Sequence, residues 1–539
     1  MVNQSSKILY QKLWNSVDIL RLNMDASEYK NYLLGLVFYK FLSDKMLYRA
    51  AELLDKEVAD INEAQRVYVD AFNNTKIKED LINELKYDSF YVLEPELTFT
   101  ALVQAINKGE FQIEDLAQGF RKIEQSHELF ENLFEDLDLN SKKLGATAQK
   151  QNQSISAVME ELAPLDIANK GEISGDAFEY LIGQFASHSG KKVGEFYTPQ
   201  PVSKLMAQII LQGKENQKGF SVYDPTMGSG SLLLSVKKFS NEPGTINYFG
   251  QELYTPAYNL ARMNMILHGV YVANQHLHNA NTLGTDWPTA EPTSFDGVLM
   301  NPPLNAKWSA DKVFLDDPRF SLYGVLAPKF KADLAFLLHG YYHLKDPGVM
   351  AIVVPQGVLF RGTAEGEIRK ILLENGAIDT VISLPANIFL NTSIPTSIII
   401  LKKGRNKKDV LFIDASNDFT KDKNKNVLED VHVNKILNAY KHRQDIEKYA
   451  HVASFDEIAD NDFNLNILRY MVTFEEEHIS LVAVAQSMQE TQKQITESNR
   501  VLGQIIQELT GTTEDAQHEL EQFISLLGLG TVQGGEHNE

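Results

Sequence analysis

The sequence predicts an α/β protein built on a doubly wound, mostly parallel sheet, with an all-helical N-terminal domain before it and a C-terminal helical tail after it. Three observations lead there. The apolar run Ser221–Tyr223 stops at Asp224 and passes through a glycine-rich turn, Asp224-Pro225-Thr226-Met227-Gly228-Ser229-Gly230-Ser231, into the apolar helix start Leu232–Leu234. Beyond it, strand-like and helical runs alternate in a βαβ rhythm. Outside that region the apolar residues recur at three- and four-residue steps instead.

The chain has 539 residues, more than one core usually serves, so two or three domains are expected. It contains no cysteine, which excludes a disulfide scaffold, cysteine-ligated zinc, iron–sulfur clusters and a cysteine nucleophile. A formal net charge of −21 argues against a broad nucleic-acid grip by this chain unaided, because such footprints are basic. No apolar run is long enough to span a bilayer and none reads as a signal peptide, so a cytoplasmic protein is expected, with no membrane partner.

Residues 1–143 form the expected N-terminal helical domain. Leu13, Trp14, Val17 and Leu20, then Tyr32, Leu33, Leu36, Val37 and Phe41, follow helical spacing, and Asp25-Ala-Ser-Glu28 resembles a helix start. Nothing here has catalytic spacing, so it reads as a structural or docking module. Asn140–Gln153 is polar and reads as a linker. The catalytic domain is expected over 154–474, with strand-like runs ending at Asp224, Glu252 and Asn301 and further ones at Gln275–Leu277, Val349–Val354, Ile378–Leu384 and Thr396–Leu401. In 475–527, Leu481, Met488, Ile495, Leu502 and Leu509 keep a seven-residue repeat, a long helix that packs on its own domain or on a partner subunit. The glycine-rich end, 528–539, reads as a disordered tail.

Three strand ends carry the chemistry. In a doubly wound sheet, ligands sit at the carboxyl ends of the strands, where a turn without bulky side chains lets the backbone approach closely. Asp224 and the glycine turn can hold the amino-acid end of a nucleoside-type cofactor, and Glu252 can accept hydrogen bonds from both ribose hydroxyls. Each feature alone is equally a tight connection or a solvated side chain. Asn301-Pro302-Pro303-Leu304 is more specific. The prolines remove two amide donors and fix the backbone, so the Asn301 side-chain oxygen and a proline carbonyl can together accept both hydrogens of an exocyclic amine. Two fixed acceptors favour a pyramidal nitrogen and stabilise the charge that builds as it attacks a methyl group.

Other candidates are weaker. His276 and His278 alternate on a strand-like run without a third ligand at plausible spacing, so no metal site is expected. The basic clusters Lys402, Lys403, Arg405, Lys407, Lys408 and Lys421, Lys423, Lys425 read as solvated loops or phosphate contacts. A Walker-type motif is lacking, which counts against ATP hydrolysis.

Asp224-Pro-Thr-Met-Gly-Ser-Gly, Asn301-Pro-Pro-Leu and Gly194-Glu-Phe-Tyr-Thr-Pro together resemble the motifs of S-adenosylmethionine-dependent DNA amino-methyltransferases, cofactor motif first. With Leu13-Trp-Asn-Ser-Val-Asp-Ile-Leu-Arg and Asp462-Phe-Asn-Leu-Asn-Ile, the resemblance narrows to the modification (M) subunits of type I restriction-modification systems, the HsdM family, and covers nearly the whole chain. It implies a Rossmann-like methyltransferase domain that moves the methyl group of S-adenosylmethionine to the N6 amine of adenine in double-stranded DNA. Glu195, Phe196, Tyr197, Thr198, Pro199 and Gln200 would line the cofactor, as would the turn from Asp224 to Ser231, Glu252 and Asn281. Asn301, Pro302, Pro303 and Leu304 would hold the adenine after it rotates out of the duplex. The implied partners are a specificity (S) subunit, a second M copy (two M per S) and a restriction (R) subunit that can join them.

The sequence departs from that family at three points. Leu304 replaces the aromatic residue that stacks on the flipped base, and Trp308 close downstream is a candidate substitute. Asn281 stands where an Asp is common, and Leu468 where a Pro is expected. Two further readings follow from these features: a cofactor-binding assembly subunit impaired in catalysis, and a stand-alone DNA adenine methyltransferase.

Overall fold

The computed structural model describes residues 20, 24–168, 172–188, 197–284, 293–304, 306–389, 394–422, 425–471, 481–510 and 513–526. Glu195 and Phe196, most of the Leu13–Arg21 segment, Lys423 and the end of the chain from 527 lie outside those residues. The chain divides into two compact units, Met1–Val472 and Thr473–Glu539.

The first unit opens with helix α1 (Ala26–Leu53), which starts where Asp25–Glu28 predicts: the Asp25 amide donates to Glu28 Oε2 at 3.4 Å. Its apolar stripe, including Leu33, Leu36, Val37 and Phe38, is buried against α2 (Ile61–Asn73), α3 (Lys78–Ser89), α4 (Phe99–Lys108), α5 (Ile113–Glu124) and α6 (Ala148–Leu162). The expected linker is not one. Leu144 and Gln151 are buried, Thr147 caps α6 by accepting from the Lys150 amide, and the Gln151 amide donates to the Asn140 and Ser141 carbonyls. Polar composition misled here because these side chains serve the turn's own backbone rather than water.

Helices α7 (Glu172–His188) and α8 (Gln200–Leu211) lead into the sheet. Its strands are β1 (Ser221–Asp224), β2 (Asn247–Glu252), β3 (Gln275–Asn279), β4 (Phe295–Met300), β5 (Leu344–Pro355), β6 (Ile378–Ser383), β7 (Thr396–Lys402) and β8 (Val410–Asp414). A two-stranded hairpin, β9 (Thr420–Asp422) with β10 (Lys425–Val427), stands apart, and β11 (Ala450–Ala453) closes the edge. The nine-stranded order is β11-β8-β6-β7-β5-β4-β1-β2-β3. Pairing is parallel from β3 through β5 and between β6 and β8, whereas β7 runs antiparallel between β5 and β6, and β11 antiparallel to β8. The chain winds outward from β1 to β3 and then returns to β1's other side with β4. That reversal opens a crevice at the strand ends, where such sheets bind ligands.

Strands β8 and β11 were not foreseen, nor was the fate of the first basic cluster. Lys402 and Arg405 pair with the buried Asp379, each at 3.2 Å, and Lys403 Nζ donates to the Tyr342 and Leu344 carbonyls. Those cations tie together the ends of the neighbouring strands β5, β6 and β7 rather than offering a phosphate site. His276 stacks flat on Phe249, ring centres 4.4 Å apart. Leu468 opens a four-residue helix, Leu468–Met471, a position where proline is tolerated. Among the described residues no helix is long and apolar enough to cross a membrane.

Helices α9 (Ser231–Ser235) and α10 (Thr255–Leu267) follow β1 and β2, and α11 (Asp333–Tyr342) lies between β4 and β5. Helix α10 joins the two halves of the unit: Met263, Ile266 and Leu267 belong to the same apolar core as α1–α6. Arg262, largely buried, donates from Nη1 to the Glu131 carbonyl (2.9 Å) and from Nη2 to the Leu129 carbonyl (2.7 Å). In the second unit, α12 (Leu481–Gln507) is followed by α13 (Glu514–Leu526), and Leu481, Met488, Ile495, Leu502 and Leu509 are exposed.

Removing the Arg262 guanidinium takes this donor from the part-buried Glu131 and Leu129 carbonyls. Arg262→Ala is expected to lower the stability of the first unit by about 2–3 kcal/mol in chemical denaturation; a loss within about 0.5 kcal/mol would show that the helical half docks without it.

Candidate active site

The sheet's carboxyl end is built from backbone constraints upward. Asp224 ends β1 fully buried, with Oδ1 accepting from the Thr226 amide (2.8 Å) and hydroxyl (3.2 Å). The turn then doubles back: Gly230 N donates to the Met227 carbonyl at 2.8 Å, and Gly228 and Gly230 take φ of 53° and 74°, the left-handed region that favours glycine. Met227 is tucked over β2, where a Cβ on Gly250 would come within 2.4 Å of its sulfur. The Ser229 and Ser231 hydroxyls are 2.8 Å apart. At the end of β2, Glu252 accepts from the Gly228 amide (3.0 Å) and the Tyr254 amide (2.9 Å), so its carboxylate is aimed across the turn.

Burial governs the charges. It pushes the Asp224 carboxyl up to about 7, against the Thr226 hydrogen bonds and with help from Glu252. Burial also raises Glu252, against three backbone amide donors. Two carboxyls this close, and only partly compensated, favour a cationic or hydroxyl-bearing ligand between them.

The tetrapeptide Asn301-Pro302-Pro303-Leu304 leaves β4 beside this turn. Asn301 is buried, and its Nδ2 donates to Thr198 Oγ1 at 3.1 Å. Thr198 thus takes the amide's donor end and leaves Oδ1 as the acceptor. A cavity of about 320 Å³ lies between them, lined by Tyr197, Pro225, Thr226, Gly228, Ser229, Glu252, Asn281, Asn301 and Pro303 among the expected residues. Thr198, Gln200 and Ser231 line an adjacent cavity of about 30 Å³ behind Tyr197. Asp224, Met227, Gly230, Pro199 and Pro302 line neither and support those that do. Leu304 does not line the cavity, whereas Trp308 and Phe336 do. Trp308 is 7% exposed, and its indole N–H points to the Ala327 and Pro328 carbonyls, each 3.3 Å away.

Sequence reasoning missed two contributors. Lys30 and Leu34 of α1 reach the cavity wall, so the helical half is part of the site and more than a docking module. No local signal marks them, because only the docking of α10 brings α1 there. The second is Arg319, side chain fully buried, which donates from Nη1 to the Thr282 carbonyl (2.8 Å) and from Nη2 to the Gly284 carbonyl (2.9 Å), pinning the loop that carries Asn281. Asp317 holds the other edge of the guanidinium. Arg319 Nη1 also faces His339 Nδ1 at 3.2 Å. Arginine only donates, so His339 carries its proton on Nε2 and gives it to the Tyr223 hydroxyl 2.8 Å away, which donates in turn to Gln251. Burial holds His339 well below the usual histidine range, so it stays neutral.

A glycine turn after β1, an acidic β2 end and an Asn-Pro-Pro exit from β4, all facing one crevice, make this a Rossmann-like methyltransferase fold of the S-adenosylmethionine-dependent class. Comparisons with known proteins agree. Residues 169–479 match the family described as N-6 DNA Methylase and residues 9–162 the HsdM N-terminal domain. The chain is 33% identical over 533 residues to the type I restriction enzyme MpnII methylase subunit of Mycoplasma pneumoniae, covering 93% of this chain and 96% of that one. It is 28% identical to the MjaIX methylase subunit of Methanocaldococcus jannaschii over 92% of this chain and 90% of that one. Among solved structures, the type I restriction-modification methyltransferase subunit from Streptococcus thermophilus superposes with a TM-score of 0.85 at 66% identity, over 87% of this chain and 100% of that one. This chain belongs to the family of type I restriction enzyme methylase subunits.

The raised Asp224 has a thermodynamic signature. An unfolded Asp titrates near 3.9, so the folded state binds the extra proton, and stability falls as pH rises from about 4 to about 7, then levels off. Asp224→Asn is expected to remove that slope, melting at a higher temperature than the parent at pH 8 with a smaller difference at pH 5. Parallel melting profiles for the two proteins from pH 5 to 8 would contradict the assignment.

Proposed function

We propose that this chain is the methyl-transferring M subunit of a type I restriction-modification complex, acting on the N6 amine of adenine in double-stranded DNA. The observation that carries this is the Asn301 amide, clamped by Thr198 with its oxygen left as the acceptor, beside a cavity that also holds the glycine turn and Glu252. S-adenosylmethionine fits this site: about 320 Å³ falls within the ~300–1,000 Å³ of small-molecule pockets, and the lining offers a carboxylate for a ribose and an apolar wall. When bound, that cofactor supplies a methyl group on a cationic sulfur.

The chain's own residues then have separable tasks. Glu252 holds the ribose hydroxyls, Asp224 and the turn to Ser231 shape the amino-acid end, and the Asn281 loop, braced by Arg319, faces the cofactor's base. Tyr197 forms part of the pocket wall, and its sequence neighbours Glu195, Phe196, Thr198, Pro199 and Gln200 are assigned with it to the cofactor. Asn301 Oδ1 and a proline carbonyl of Pro302-Pro303 accept the two amine hydrogens of an extruded adenine and stabilise the nitrogen as it becomes tetrahedral. Trp308 and Phe336 supply aromatic wall where Leu304 supplies none.

Sequence selection is assigned to an S subunit binding two copies of this chain, with an R subunit joining when DNA is cut. The acidic balance of this chain supports that division. Within it, 1–143 serves as the helical domain and 154–474 as the catalytic domain, and the exposed apolar repeat after 475 serves subunit assembly.

The test is tritiated-methyl transfer from S-adenosylmethionine to DNA by the chain co-purified with its S subunit. Transfer is expected, and Asn301→Ala is expected to abolish it. If only a Leu304→Tyr version transfers, the chain is instead an assembly subunit whose chemistry failed at one side chain, since a stacking ring is worth roughly 1–3 kcal/mol, about ten- to a hundredfold in rate.

A further inference from the structure

The segment after the catalytic tetrapeptide folds back on itself at the cavity rim. The Trp308 amide donates to the Lys329 carbonyl (3.1 Å), the Ala332 amide to the Ala306 carbonyl (2.9 Å), and the Lys331 amide to the Pro328 carbonyl (2.9 Å). With the Trp308 indole on the Ala327 and Pro328 carbonyls, the tip 327–331 is fastened to the strand of chain that leaves Asn301. At that tip Phe330 is 65% exposed, unlike Trp308 and Phe336, which face the cavity. Lys307, which lines the cavity mouth, sits over the Phe330 ring with Nζ 5.7 Å from its centre. Ala327-Pro328-Lys329-Phe330-Lys331 carries two cations and no acid in a chain of net charge −21.

An exposed ring between lysines, held rigidly at the mouth of a cavity, has the composition of a single-strand nucleic-acid platform: a π face for bases and cations for the backbone. Phe330 does not line the cavity, so it cannot stack on a base inside it. It is placed instead to meet the bases that lose a stacking neighbour when one is rotated out. We propose that Phe330, with Lys307 and Lys329, forms the rim that receives DNA around the target adenine, the ring stacking against the adjoining bases and the lysines meeting flanking phosphates. This deepens the reading of the chain as a DNA adenine methyltransferase and rests on it.

The experiment uses the complex with its S subunit and a duplex carrying its recognition sequence with 2-aminopurine at the target adenine. Phe330→Ala is expected to weaken DNA binding roughly tenfold and to reduce the 2-aminopurine emission that reports extrusion, while affinity for S-adenosylhomocysteine stays at the parent value. Phe330→Tyr is expected to restore both. A duplex with the target base mismatched, which needs less help to open, is expected to recover most of the Phe330→Ala loss. Lys307→Ala is expected to reduce the slope of log affinity against log salt by about one. Parent-like DNA affinity and emission in Phe330→Ala would overturn the proposal, as would loss of the S subunit from that variant on gel filtration, which would assign the ring to a protein contact. Neither readout requires methyl transfer, so a complex that binds and extrudes the base but does not methylate counts against the parent reading and not against the rim.

Discussion

Asn301 and Thr198 stand 103 residues apart in sequence, yet the amide nitrogen of one is 3.1 Å from the hydroxyl of the other. A carboxamide is nearly symmetric in shape and opposite in polarity at its two ends, so an unclamped Asn301 would present a donor as readily as an acceptor. The Thr198 hydroxyl pairs the nitrogen end in a buried setting where an unpaired donor costs about 1–3 kcal/mol. For the contact to exist, Thr198, two residues before α8, must reach the exit of β4. Helix α7 shares the helical core with α10, and α10 carries the helical half's carbonyls on Arg262.

Charge at the strand ends is held under tension by the same geometry. Asp224 and Glu252 are desolvated together, and the glycine turn between them satisfies each with backbone or hydroxyl donors and with no cation. Arg319 is turned onto the Thr282 and Gly284 carbonyls and held by Asp317. The site therefore keeps its acidity for a ligand while the loop opposite is braced by a neutral relay of His339, Tyr223 and Gln251.

What could be read from the sequence was what local chemistry dictates. The strand before Asp224, the two glycines at positive φ, the strand end at Glu252 and the exit at Asn301 each carry a pattern within ten residues, and each stands where that pattern predicts. Nine of the expected cofactor and base residues line one cavity and three more line an adjacent one, whereas Asp224, Met227, Gly230, Pro199, Pro302 and Leu304 line neither and Glu195 and Phe196 lie outside the described residues. What could not be read depends on distant partners. Lys30 reaches the cavity only because α1 docks on α10, and Arg319 has no motif but its neighbour Asp317. Asn140–Gln153 read as a linker because polar side chains that serve backbone look like polar side chains that serve water.

The most direct test of this account is the turnover of Thr198→Val beside Thr198→Ser, with the affinity for S-adenosylhomocysteine measured on the same preparations. Valine keeps the shape and removes the acceptor, so kcat is expected to fall ten- to a hundredfold, by more than any change in cofactor affinity, while serine retains near-parent turnover. Parent-like kcat in Thr198→Val would contradict the claim that this one hydroxyl holds the Asn301 amide in place for turnover.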